Sequence, residues 1–171
     1  MKVKHLTLIV SGLLFFTVSC KKNLSVTPSD KPADVYLAGF VQVHHSTAAY
    51  WKNGALTILG DTSAISFAQS IAVKGTDVYV TGVVTSLDIA TSNAVYWKNG
   101  TLINLSGGTN GDARGIAVSS AGDVYVAGST NDPVSGYHAA YWKNNVATSL
   151  TDGVSAKAIA LSGSDVYVAG T

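Results

Sequence analysis

The sequence predicts an all-β fold made from one antiparallel four-stranded unit used repeatedly, and three observations carry that expectation. Asp-Val-Tyr begins at residues 34, 77, 123 and 165, in steps of 43, 46 and 42. Tyr-Trp-Lys-Asn begins at 50, 96 and 141, in steps of 46 and 45. Two unrelated motifs sharing one period mark a repeat array. All three Trp and seven of the eight Tyr fall inside these motifs, so the bulkiest side chains recur with them. The third observation is composition. The acidic residues are all Asp, Glu is absent, and there are 17 Gly. Glu favours helices, whereas Asp and Gly favour turns.

The chain opens on MKVKHLTLIVSGLLFFTVSC. Lys2 and Lys4 make a basic start, and Leu6 to Val18 an apolar run too short to span a bilayer, which takes about 20 residues. The only cysteine, Cys20, closes that run and precedes Lys21-Lys22. Residues 1–20 resemble a bacterial lipoprotein signal. The resemblance implies a signal peptide over 1–19, lipid attached at Cys20, and a place in the outer membrane or at the cell surface. Ordinary cleavage beside the small Thr17 and Ser19 is the alternative, giving a periplasmic or secreted protein. A lone cysteine allows no internal disulfide. Residues 20–33 carry Pro28 and Pro32 and no periodicity, as a polar tether would.

The first unit, 34–59, holds Asp-Val-Tyr as strand b, Tyr-Trp-Lys as the end of strand c, and Leu56–Leu59 as strand d. The second and third, 70–105 and 115–150, add a preceding strand a, Ser70–Val73 and Gly115–Val118. The fourth, 158–171, has strand a at Ala158–Leu161 and strand b only. Val, Ile, Tyr and Trp supply the strand character. Strands c and d are joined by Asn53-Gly54, Asn99-Gly100 and Asn144-Asn145. Asn-Gly is the strongest short hairpin signal, because both positions need positive φ. In strand b, Val78 and Val80 face one way and Tyr79 the other, so both sides of the sheet are bulky and both want covering.

A four-stranded meander of this length, covered on both faces by its own copies, is a β-propeller blade. The stretch from Asp112-Ala113-Arg114-Gly115-Ile116 to Val126-Ala127-Gly128-Ser129-Thr130 resembles the bacterial seven-bladed propeller repeat and, more loosely, the NHL repeat. That resemblance implies a ring of about seven blades on an exported protein and implies no activity. About three and a half blades are present, too few to close a ring. The expectation is therefore an open arc of a truncated ring, with the missing blades supplied by the rest of the chain.

Function is expected on one side only. The a–b and c–d turns fall on one side of each meander and hardly vary. The b–c loops (41–47, 84–93, 129–138) and d–a loops (60–69, 106–114, 151–157) fall on the other and do vary. A rigid scaffold presenting variable loops is a common way to build a binding site. Candidate binding residues there are Asp61, Asp88, Asp112, Asp132, Asp152, Tyr137 and His138. They could line a mouth for a hydroxyl-rich glycan or a cation, or they could be solvated turn residues. Asp61, Asp112 and Asp152 do not repeat in register, which favours turns.

No cofactor is implied. Neither a loop-bound calcium nor a metal at His44, His45 and His138 has a supporting spacing. A formal charge of +1 gives no basic face for nucleic acid. Nucleophile elbow, zinc-protease and phosphate-loop motifs are absent. The expected function is a membrane-tethered binding module for a glycan or protein. An exported hydrolase or lyase, or a plain spacer, is the alternative.

Overall fold

Alternating large residues separated by Asn- and Gly-bearing turns fold into strands throughout the described chain. The structure is a computed structural model that describes residues 32–107 and 109–171. The expected signal peptide, Cys20 and nearly all of the tether lie outside the described residues. Ala33–Thr171 form one compact unit, and no helix occurs among the described residues.

The first blade holds β1 (Tyr36–Gln42), β2 (Ser46–Lys52) and β3 (Ala55–Ile58). The second holds β4 (Ala64–Lys74), β5 (Asp77–Ser86), β6 (Ser92–Lys98) and β7 (Thr101–Asn104). The third holds β8 (Gly111–Val118), β9 (Val124–Asp132), β10 (Gly136–Lys143) and β11 (Val146–Ser149). The last two strands are β12 (Ala156–Ser162) and β13 (Asp165–Gly170). Each sheet is an antiparallel meander in chain order. The first strands β4, β8 and β12 pack on one another in succession, whereas the last strands β3, β7 and β11 make no comparable contact. The sheets therefore converge at one edge and splay at the other. This is an open propeller arc.

Side-chain parity decides what each face buries. Val78, Val80 and Trp97 turn back onto Ala48, Tyr36, Ala38 and Tyr50 of the first blade. Tyr79 and Tyr96 turn forward onto Val124, Val126 and Trp142 of the third. Trp97 and Trp142 are fully buried between blades, while Trp51, on the outward face of the first blade, is half-buried. Trp142 also donates its Nε1–H to the Leu105 carbonyl of the preceding blade at 3.0 Å.

The repeated polar residues have a joint role. Asn99 sits at φ 51°, in the left-handed region that Asn tolerates. Its side-chain oxygen accepts from Val78 N at 2.9 Å, and its amide donates to Asp77 at 2.8 Å. Lys98 then pairs with the same aspartate at 3.3 Å and lies over the Tyr79 ring. Asn53 with Asp34, Lys52 and Tyr36 repeats this clasp, as does Asn144 with Asp123, Lys143 and Tyr125. Asp-Val-Tyr and Tyr-Trp-Lys-Asn keep one period because they are two halves of one lock between strands b and c.

Strand a is longer than expected. It begins at Ala64, Gly111 and Ala156, and each copy contains a bulge: between Ala68 and Ser70, Ala113 and Gly115, and Ala156 and Ala158. An unpaired residue shifts side-chain parity by one. Ala68 and Ile71, an odd step apart, consequently face the same neighbour. Alternation stops at the bulge, and a period-two reading stops with it. The connections on the variable side shrink accordingly, to 43–45, 87–91 and 133–135 between b and c, and to 59–63, 105–110 and 150–155 between d and a.

Candidate functional site

The variable side carries a cleft that draws on the second and third blades and on the connection into β12. It has a volume of about 420 Å³ and is lined by Val83, Thr85 and Ser92 of the second blade, by Asp112, Arg114, Ser129 and Tyr137 of the third, and by Val154 and Ser155 before β12. Asp112 lies within β8, not in a loop, and Tyr137 and His138 lie within β10. The bulge turns Arg114 out of the β8 ladder to reach Asp112, Nη2 to Oδ2 at 2.6 Å. The other Asp112 oxygen accepts from Gln69 Nε2, across from β4, at 2.8 Å. Thr85 and Ser92 hydroxyls bond each other at 2.8 Å on the facing wall. The lining is thus one ion pair, several hydroxyls, and a half-exposed Tyr137 ring.

Of the residues singled out in the sequence, Asp112 and Tyr137 share this cleft. The others do not line it. Asp61 and Asp152 border separate, smaller clefts. Asp88 and Asp132 serve their own hairpins. Asp88 accepts from Ser86 Oγ and Ala90 N, and Asp132 from Ser135 N, Val134 N and Ser135 Oγ. His138 Nε2 meets Ser135 Oγ at 2.8 Å. These turns hold Ile89, at φ 54°, and Val134 out in solvent. Among the described residues no three His, Cys, Asp or Glu side chains assemble as a metal set.

Hydrogen bonds set the acidity of these turns. The Ser63 hydroxyl and then its backbone N–H hold the Asp61 carboxyl below its ordinary range. Asp88 is lowered first by the Ser86 hydroxyl, and Asp132 first by the Ser135 backbone N–H. In the clasps, Asn99 lowers Asp77 and Asn144 lowers Asp123, with Lys98 and Lys143 adding to each. A carboxyl lowered on folding stabilises the fold above its unfolded value, about 3.9, and that stability is lost as pH falls through the folded value. Urea midpoints should hold steady from neutrality down to about pH 4 and then decline. An Asp77→Asn, Asp123→Asn double variant should flatten that acid limb; an unchanged limb would remove the clasps as its cause.

Sequence reasoning overlooked Arg114, Gln69 and the hydroxyls. A signal for the first two was present. Gln69, Arg114 and Lys157 each stand two residues before the strand-a Ile (Ile71, Ile116, Ile159), and Arg114 is the chain's one arginine. The sequence model of a known family, described as the β-propeller repeat, bears on the same stretch.

Residues 101–133 match the β-propeller repeat. The matched segment runs from β7 of one blade through β8 and β9 of the next, so the propeller repeat contains the bulge, Asp112 and Arg114. No curated protein matches the chain.

Proposed function

We propose that this chain is an exported, lipid-anchored propeller module that binds a glycan or another macromolecule through the variable side of its blades. The cleft carries the reading. It joins a flat aromatic ring, several hydroxyls and a fixed ion pair on strands of two neighbouring blades, closed by the connection that leads into β12, the mixture of apolar surface and few placed polar groups that suits a ligand site. Glycoside hydrolysis generally takes two carboxyl groups flanking the bond. Asp112 is the one carboxylate lining this cleft, and both its oxygens are engaged, which favours binding over the hydrolase alternative. The short segment ending in Cys20 supports export and anchoring.

The test is a glycan array probed with the full chain, beside Tyr137→Ala and Asp112→Asn variants. Each variant should weaken a positive signal by about tenfold, the loss of 1–2 kcal/mol expected for one stacked or hydrogen-bonded group. Binding that both variants leave intact would move the site elsewhere, and product release from a bound glycan would favour the hydrolase. In cells producing the full chain, Cys20→Ala should shift the protein from membrane to soluble fractions; continued membrane retention would remove the lipid anchor.

A further inference from the structure

We propose that the bulge residues Arg114 and Lys157 form a paired cationic site on the convergent edge of the arc, which receives the carboxylate of an acidic saccharide. This deepens the glycan reading above and rests on it. The bulge recurs at the same register in β4, β8 and β12, opposite Gly82, Gly128 and Gly170, and its extra residue is Gln69, Arg114 and Lys157 in turn. All three are exposed on strands otherwise built of small and apolar residues. Bulges re-aim side chains and gather beside functional sites.

The backbones that carry the two cations are neighbours, although Arg114 alone of the two lines the cleft. A Cβ on Gly115, the residue after Arg114, would stand 3.0 Å from the Cα of Ala158, the residue after Lys157. β8 and β12 therefore touch backbone to backbone just where each carries its bulge cation. Asp112 is bound to Arg114 on one oxygen and to Gln69 on the other. Lys157 has no ion pair among the described residues. Asp112 acts as a positioning residue: it fixes the guanidinium plane, and a guanidinium has five N–H donors to offer, most of them still free for a carboxylate.

The neighbours choose between kinds of anion. The hydroxyl residues Thr85, Ser92 and Ser129 and the Tyr137 ring line the same cleft as Arg114. Neutral hydroxyls suit a ligand that is itself rich in hydroxyls, and an exposed ring offers an apolar face to a pyranose. A uronic acid residue carries all of these features on one ring. An acidic peptide would use the cations and leave the hydroxyls idle.

The experiment is calorimetric titration of the full chain with a tetragalacturonate, a neutral glucose tetramer and an oligo-aspartate of equal charge. The uronate should bind, and weaken as salt rises. Lys157→Gln and Arg114→Gln should each lower its affinity about tenfold or more, and Lys157→Arg should restore it. Lys157 is exposed and unpaired, so its variants keep the fold, which thermal melts will check. Neutral tetramer binding as tightly as the uronate would leave the glycan reading standing and overturn this inference. Oligo-aspartate binding equally well through the same two residues would assign the site to an acidic protein instead. Failure of every ligand would overturn this inference, and the glycan array then decides the broader reading.

Discussion

Replacing Trp142 by alanine is expected to lower the unfolding free energy by about 3–5 kcal/mol, the cost of removing a large buried aromatic. The side chain is wholly inaccessible and packs between the third blade and Tyr79, Ala94 and Leu105 of the second. Its loss therefore opens the contact between blades, not the interior of one sheet. Two comparisons make the claim specific. Trp51 holds the same motif position on the outward face of the first blade and is only half-buried, so Trp51→Ala should cost less than half as much. Trp142→Phe keeps most of the volume but strands the Leu105 carbonyl, which the indole N–H now satisfies at 3.0 Å, at about 1–3 kcal/mol. Trp97 is equally buried, yet its N–H has no acceptor, so Trp97→Phe should be the milder of the two Phe variants. Urea midpoints at constant m-value would read these differences. Equal costs for Trp51→Ala and Trp142→Ala would mean that the neighbouring blade is not what stabilises these rings.

The same side chains explain what was readable in advance. Strand b alternates Val, Tyr, Val around a motif repeated four times, and bulky residues on both parities admit only a sheet covered twice. Asn-Gly, or Asn-Asn in the third blade, sets the c–d turns at fixed places through its tolerance of positive φ. Strand a was half readable. Ile71, Ile116 and Ile159 mark its far end, but the bulge before them resets parity, so Phe67 and Asp112 looked like loop. The aspartates were ambiguous on a different ground. Asp61, Asp88 and Asp132 carry the same charge as Asp112, and only the backbone geometry of each turn decides that the first three serve their own turns. The cleft itself needs two blades side by side and the connection leading into the next, and spacing along one chain does not measure the gap between sheets.

Gly128→Ala is expected to be among the most damaging single-methyl changes, at about 3 kcal/mol or more, the upper range for forcing atoms into a packed place. A Cβ on Gly128 would overlap the carbonyl oxygen of Asp112 and come within 2.9–3.0 Å of the carbonyl carbon of Asp112 and the Cα of Ala113. The obstacle is backbone, held by the β8–β9 ladder just before the bulge, and cannot swing aside as a side chain would. Gly82 meets the Phe67 carbonyl and Gly170 the Ser155 carbonyl in the same way, so the fixed glycine of the motif is the counterpart of the bulge opposite. The first blade supplies the control. Gly39 holds the same motif position on β1, which pairs with β2 alone among the described strands, and a Cβ there meets only the Trp51 ring, at 3.2 Å. Gly39→Ala should accordingly cost about 1 kcal/mol or less, as the ring shifts slightly. The Gly128 variant carries a second consequence, because the strand it displaces bears Asp112 and Arg114. Any surviving folded protein should lose ligand affinity more than Gly39→Ala does, read by calorimetry on the fraction that melts cooperatively. Equal tolerance of the two substitutions would show that β8 yields easily, and a strand that yields could not hold a guanidinium in place for a ligand.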